Sequence, residues 1–286
     1  MISRLIVAAE YRGEDSTGVA FRTTSAAGRP STCVGQHAVS ATQYVRLNWE
    51  LIDRAEKSTA GIIHVRNASV GMPIDNDNAH PFYYGGRAFA HNGKISNWKE
   101  LRDAFADKLR GTIASSKKLE TLDGVRELLK QAKDSKDHEL WGQLKRLAFI
   151  MDAKTDSKVL GFCIESGDFS EVEGCAGLTW LSKDGVFVVR HAKELECVEL
   201  IWFDDQGVPH EFTLCISEMK IFENSTVGMK FKPTVKRQAL VQEGLVHQLL
   251  PSYLGVLNRV TFKKRLADFH SSASVQAEET DEIGQL

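Results

Sequence analysis

Arg66 closes a short apolar strand, Gly61-Ile62-Ile63-His64-Val65-Arg66, and is followed by a run of small residues. A guanidinium at a strand end can hold a carboxylate through two parallel hydrogen bonds, so Arg66 is a candidate substrate anchor. Farther on, His91-Asn92-Gly93 ends a second apolar strand and opens toward a helix. Asn tolerates unusual backbone angles and Gly tolerates any. Successive N–H groups there can converge on one oxygen, joined by the Asn92 amide, which is what stabilising an oxyanion requires. Taken singly, an Arg is usually a surface charge and Asn-Gly usually a hairpin turn. Their joint placement at two strand ends points to a site.

Other polar groups suit a site less well than this pair. His64, His80 and His91 follow no recognised zinc spacing and have no carboxylate pair at helical spacing, so they read as structural histidines and no metal is expected. Cys33 near His37 could pair a thiol with a base, but a strand-end cysteine is the better reading. The five cysteines are widely spaced without a Cys-x-x-Cys, which argues against a zinc ribbon or a dithiol pair.

The elements that must hold these groups can be read from periodicity. Residues 1–11 suit the last turns of a helix, and Arg12 to Phe21 a tight loop feeding a strand. Tyr44, Leu47, Leu51, Ile52 and Ala55 recur at helical spacing over 40–57. Asn97 is positioned to cap a helix with Glu100 three residues on and Trp98, Leu101, Phe105 and Leu109 as its inner stripe. Two further helical patterns follow, through Leu122 to Ala132 and Leu140 to Leu147. Beyond residue 148 the texture turns strand-like: 149–151, 159–164, 178–181, 186–190, 198–203 and 211–216, the last two joined as a hairpin through Asp204 to Gly207. Residues 235–249 fit a helix, 256–269 a basic amphipathic segment, and 271–286 a disordered acidic tail. The expected division is a main domain over 1–232, a helical appendage over 233–270 for packing or assembly, and the tail. Strands, then helices, then strands again suit an α+β arrangement of sheets covered by helices.

With 286 residues and a net charge of −2, the chain can bury a sizeable core and carries no basic stripe of the kind nucleic acid requires. Apolar runs are strand-sized and the first residues lack a signal-peptide pattern. No membrane association is expected, and the predicted location is cytoplasmic.

Four blocks occur in order: Arg12-Gly13-x-Asp15-Ser16-x-Gly18; Gly61-Ile-Ile-His64-x-Arg66-x-Ala-Ser69-x-Gly71; Asn78-Ala79-His80-Pro81-Phe82; and His91-Asn92-Gly93-x-Ile95-x-Asn97-x-x-x-Leu101-Arg102. In these the chain resembles the class II glutamine amidotransferases, the N-terminal-nucleophile (Ntn) glutaminase domain of glucosamine-6-phosphate synthase and amidophosphoribosyltransferase. The resemblance covers residues 5–105 well and the β-rich part more loosely. It implies an αββα sandwich of two antiparallel sheets, the Ntn-hydrolase fold, and hydrolysis of glutamine through a thioester, with ammonia passed to a synthase. It further implies that Arg66 grips the glutamine α-carboxylate, with Ser69 in the same loop. Asn92 and Gly93 would form the oxyanion hole, and the acid that holds the α-amino group would be Asp123, one residue on from the Leu122 that an ungapped match places there. Arg12, Asp15, His64, His80 and His91 would shape the surroundings, with no cofactor.

The pattern also departs from the family. Its nucleophile is a Cys made N-terminal by loss of the initiator Met, whereas here Ile2 follows Met1 and the Arg12 block arrives early. The expectation is an N-terminally truncated domain without its nucleophile strand. Asn67 and Val70 replace the Trp and His usual in the Arg66 loop. The expected function is a glutaminase domain supplying ammonia to a synthase or ligase on another chain. The alternative is a catalytically inactive relative used for glutamine binding or assembly.

Overall fold

The computed structural model describes residues 1–24, 28, 30–67, 75–203, 207–230, 232–250 and 253–259. In chain order the elements are α1 (Ile2–Ala8), β1 (Ser16–Thr24), β2 (Pro30–His37), α2 (Ala41–Leu47), α3 (Trp49–Glu56), β3 (Gly61–Arg66), β4 (Phe82–Tyr84) and β5 (Arg87–Ile95). Four helices follow, α4 (Trp98–Arg110), α5 (Leu122–Asp134), α6 (His138–Met151) and α7 (Asp156–Ser166). The chain then returns to strands with β6 (Gly174–Ser182), β7 (Gly185–His191), β8 (Glu196–Phe203) and β9 (Pro209–Ile216). Last come α8 (Met219–Ser225), β10 (Thr234–Leu240), β11 (Leu245–Leu250) and β12 (Tyr253–Arg259).

The strands form three sheets with orders β2-β1-β3, β10-β8-β9 and β12-β11-β7-β6-β5-β4. Neighbouring strands within each run antiparallel. Alternation along each strand decides what lies on either side. In β1, Val19 and Phe21 turn outward onto Ala41, Tyr44, Ile52 and Ala55 of α2 and α3, with Ile6 of α1. Ala20 turns inward with Ile62 against Ala88, Ala90, Leu181 and Val186, the small side chains letting the two sheets lie close. The far face of the six-stranded sheet, including Phe89, Leu178 and Trp180, packs on α4–α7 through Leu101, Val125, Leu144, Leu147 and Leu160. Leu144, Leu147 and Leu160 are completely buried, and each contributes about 1.5–3 kcal/mol by leaving water. Helices, sheet, sheet, helices is the αββα order that the resemblance implies. The three-stranded β10-β8-β9 sheet extends it, held by Val198, Leu200 and Ile216 against Leu5 of α1, Ala9 just past it, and Ile221 and Phe222 of α8.

Several sequence expectations give way. The helix expected over 235–249 is two strands: β10 pairs with β8, and β11 adds to β7 with β12 beyond it. The appendage is therefore built into the sheets over 234–259, because short apolar runs satisfy either period and open sheet edges decide between them. The strand expected over 159–164 is the interior of α7, whose residues from Asp156 to Ile164 are all buried. Residues 149–151 finish α6. The helix over 40–57 breaks in two at Asn48, whose amide donates to the Tyr44 carbonyl at 3.0 Å. Asn97 precedes α4 without capping it; its side chain instead bonds the Glu171 carbonyl at 2.8 Å and the Glu173 N–H at 3.0 Å, tying the helix start to the approach of β6. Residues 260–286, which include the expected tail, lie outside the described residues. Among the described residues no helix is long and apolar enough to cross a membrane.

Candidate functional site

The site is built on β5. His91 shares a face with Phe89 and turns toward α7, where its Nδ1 lies 3.1 Å from the Ser157 hydroxyl. Asn92 shares the opposite face with Ala88 and Ala90 and borders the space between the sheets. Gly93 follows with φ 143°, and a Cβ there would stand 2.1 Å from the Cys175 carbonyl oxygen of β6. Only glycine fits both the torsion and the approach. Asn92-Gly93 is thus an irregularity inside a strand, paired with Gly177 and Ala176, rather than a turn opening to a helix. Two residues on, the Ile95 N–H donates to Asp156 Oδ2 at 3.0 Å, so the buried start of α7 supports β5 from behind.

Arg66 ends β3 on the other side of the space. It is buried, and it borders the same cavity of about 820 Å³ as Asn92, Gly93, Asp156 and Ser157. Burial draws its pKa down, an effect opposed by the carboxylates of Asp15 and Asp156. The loop before β1 braces Arg66: the Asp15 N–H donates to the Arg66 carbonyl at 3.2 Å. Arg12 reaches the Ser217 hydroxyl at 3.2 Å and pairs with Glu218. Gly18 serves a related purpose, since a Cβ there would stand 2.2 Å from the His80 carbonyl oxygen and push β1 away from that residue.

Three histidines fill the junction between the sheets. His64 Nε2 lies 3.2 Å from the His91 carbonyl oxygen, bridging β3 to β5. The rings of His64 and His80 are 4.3 Å apart, and Phe82 lies 4.6 Å beyond His80. Burial pushes the His64 imidazole down to about 3. It also holds His80 well below its ordinary range and lowers His91, whose shift the Asp156 carboxylate partly opposes. All three are therefore neutral at pH 7, and uncharged imidazoles wall the site.

Of the residues predicted from sequence, Arg66, Asn92, Gly93, Arg12, His64, His80 and His91 border the one cavity, with Asp15 bonded to the Arg66 backbone. The structure does not bring Asp123 there. It opens α5 with its side chain 94% exposed, 3.5 Å from Arg126. Ser69 lies outside the described residues. Asp156 and Ser157 are not among the residues expected from sequence, although Thr155-Asp156 ahead of an apolar run is a helix-start signal that points to them. Among the described residues no cluster of three or more His, Cys, Asp and Glu is disposed to hold a metal.

Comparison with known proteins bears on this arrangement. No family model matches the chain. The glutamine–fructose-6-phosphate aminotransferase (isomerizing) of Rhizobium meliloti strain 1021 is 40% identical over 97 residues, 34% of this chain and 14% of that protein. Its namesake from Acinetobacter baylyi is 36% identical over 98 residues, 33% of this chain and 14% of that protein. The chain thus spans about a seventh of the length of these relatives. Among solved structures, an allosteric regulatory enzyme of purine biosynthesis superposes with a TM-score of 0.49 and 18% identity, over 90% of this chain and 45% of its own. Over the third of its length that they share, the chain is similar to these glutamine–fructose-6-phosphate aminotransferases.

Proposed function

We propose that the cavity between β3 and β5 binds glutamine, and that the chain serves as the glutamine-handling part of an amidotransferase. The observation that carries this reading is the position of Arg66 on one wall of a cavity whose other wall presents Asn92 and Gly93. Arg66 pairs with the α-carboxylate through two N–H donors. The side-chain amide then comes to β5, where the Asn92 amide and the Gly93 N–H receive the oxygen on which charge develops when the carbonyl is attacked. The neutral histidines exclude water without adding positive charge that would hold the carboxylate in the wrong place. Ammonia released there passes to a synthase or ligase on another chain. Kinship with glutamine–fructose-6-phosphate aminotransferases over a third of the chain supports glutamine as the ligand.

The second reading, glutamine binding without hydrolysis, is favoured by one observation. Cys215, a described cysteine on the cavity wall, has its thiol pKa driven well above the ordinary range by burial, so it is no thiolate at neutral pH.

Calorimetric titration with glutamine, glutamate and asparagine tests the binding that both readings share. Glutamine should bind, and Arg66→Ala should weaken it by roughly 10–100-fold, the worth of a charge-assisted pair. Unchanged affinity in Arg66→Ala would remove the anchor and the reading with it. Ammonia release from glutamine then separates the two versions.

A further inference from the structure

Cys197 of β8 and Cys215 of β9 are both free thiols, and they stand directly opposite each other in the antiparallel register. Which of the two kinds of opposed pair they form follows from the backbone. Just past β10, the Val241 N–H donates to the carbonyl of Leu195, just before β8, at 2.9 Å, so Leu195 turns its backbone groups to the β10 side. Alternation sends those of Glu196 toward β9 and those of Cys197 back toward β10. Pro209 gives the same answer from the other end of the β8–β9 ladder. It has no N–H, so Phe203 and Pro209 cannot exchange two hydrogen bonds, and Cys197 lies an even number of residues from Phe203, in phase with it. Cys197 and Cys215 are therefore a non-hydrogen-bonded pair, the kind in which the two Cα atoms approach to about 4.5 Å.

Opposed residues of a ladder also share a face. Both thiols belong to one apolar cluster with Val188 and Leu249 of the six-stranded sheet and with Leu195 and Val241. A disulfide needs Cα atoms about 4.4–6.8 Å apart and side chains on one side, and this pair meets both conditions at the short end of the range. A bond formed there is strained and readily reduced. The two sulfurs differ in access. Cys197 is buried, whereas Cys215 is only partly covered and borders the cavity. Burial pushes the Cys197 thiol up to about 11 and the Cys215 thiol well above its ordinary range, so neither reacts quickly at neutral pH and the pair stays reduced until an oxidant reaches it.

We propose that Cys197 and Cys215 form a reversible cross-strand disulfide when hydrogen peroxide enters the cavity, which makes the β8–β9 hairpin an oxidation site of this protein. Peroxide takes two electrons from the Cys215 sulfur: its O–O bond breaks, one oxygen becomes the S–OH of a sulfenic acid, and the other leaves as water. The Cys197 sulfur then attacks the Cys215 sulfur, the S–O bond breaks, and the hydroxyl leaves with the Cys197 proton as a second water. Two thiols and one peroxide thus give one disulfide and two waters, and a dithiol reductant restores both thiols. The bond ties β9, which lines the cavity from His210 to Ile216, covalently to β8. The proposal is independent of what binds at Arg66.

Peptide mapping of the full 286-residue chain without reductant tests it. After hydrogen peroxide, the peptides holding Cys197 and Cys215 should be linked to each other, and dithiothreitol should release them. Hydrogen exchange over Glu196–Phe203 and Pro209–Ile216 should slow by roughly tenfold in the linked form. The same oxidation of the urea-unfolded chain should scatter the links and favour Cys163 with Cys175, which are nearer in sequence. In Cys197→Ser, Cys215 has no partner and should stop at a sulfenic acid that dimedone traps; mapping of the unaltered protein needs no variant, should this one fold poorly. Peroxide treatment that leaves both thiols open to alkylation would overturn the proposal. So would a link from either cysteine to a third or to a second copy of the chain, or a Cys215 sulfenic acid that lasts as long in the unaltered protein as in Cys197→Ser. Links confined to Cys197 and Cys215 in urea as well would assign the pairing to the unfolded chain and likewise overturn it. Glutamine titration on the reduced protein reads Arg66 separately, so either idea can fail alone.

Discussion

Replacing His64 with glutamine should flatten the acid side of the protein's stability profile. Folding holds this imidazole neutral, with its pKa at about 3 against an unfolded value of about 6.5. The folded state therefore binds fewer protons. The stability tied to neutral His64 is complete above about pH 6.5 and is lost as pH falls from there toward 3. At about 1.36 kcal/mol per pH unit, going from pH 7 to pH 5 removes about 2 kcal/mol through this residue alone, with a ceiling near 5 kcal/mol below pH 3. His80 and His91 shift in the same direction, so the whole protein loses more than that. Glutamine at position 64 can still donate to the His91 carbonyl and cannot take up a proton. Urea unfolding of the wild type and His64→Gln at pH 7 and pH 5 gives four free energies. The loss between the two pH values should be about 2 kcal/mol smaller in the variant. Equal losses, within about 0.5 kcal/mol, would mean that the junction between the sheets admits water and that the histidine wall is not dry.

Other outcomes are equally specific. Gly93→Ala combines a disfavoured torsion with a contact of 2.1 Å to the Cys175 carbonyl, and should lower stability by roughly 2–4 kcal/mol in thermal or urea unfolding. Asp156→Ala strips the Ile95 N–H of its buried partner and should cost about 1.5–3 kcal/mol by the same measurement. Arg66→Lys keeps the charge but loses the planar fork, and calorimetry should show glutamine affinity reduced by roughly tenfold. Asp123→Asn changes an exposed residue away from the cavity. It should leave glutamine affinity unaltered and shift stability by less than about 0.5 kcal/mol.

Much of the architecture is legible in the sequence where one period dominates. β3, β6, β7, β8 and β9 announce themselves through branched residues between turn signals, and α4, α5 and α6 through apolar stripes. The failures have a common physical origin. The run Val159-Leu160-Gly161-Phe162-Cys163-Ile164 is apolar throughout, and such a run fits a buried helix as well as a buried strand. It is a helix because it is packed on every side by α4, α6 and the six-stranded sheet. Residues 235–249 carry an ambiguous pattern that is resolved by vacant edges on β8 and β7, which no local signal encodes. At the site, Arg66 is legible as the end of an apolar strand and Asn92-Gly93 as a backbone-permissive pair, although β5 runs on through that pair to Ile95. Asp156 and Ser157 act through long-range contacts with β5, and Asp123 rests on the family resemblance alone, where a shift of one residue exchanges it for Leu122.

The pairing of β5 with β6 joins Ile95 to Gly174 with α4, α5, α6 and α7 between them. Those helices can form and pack through contacts close in sequence, whereas the two strands meet only after the whole insertion has been brought back on itself, which makes their union a slow, late event. Gly93 acquires its close neighbour Cys175 in that same event. A ribosome-bound chain ending between β5 and β6 would therefore already carry Arg66, Asn92 and Gly93, yet hold no formed β5–β6 wall. β6 gives the cavity lining only Thr179, yet it backs the strand that carries Asn92 and Gly93.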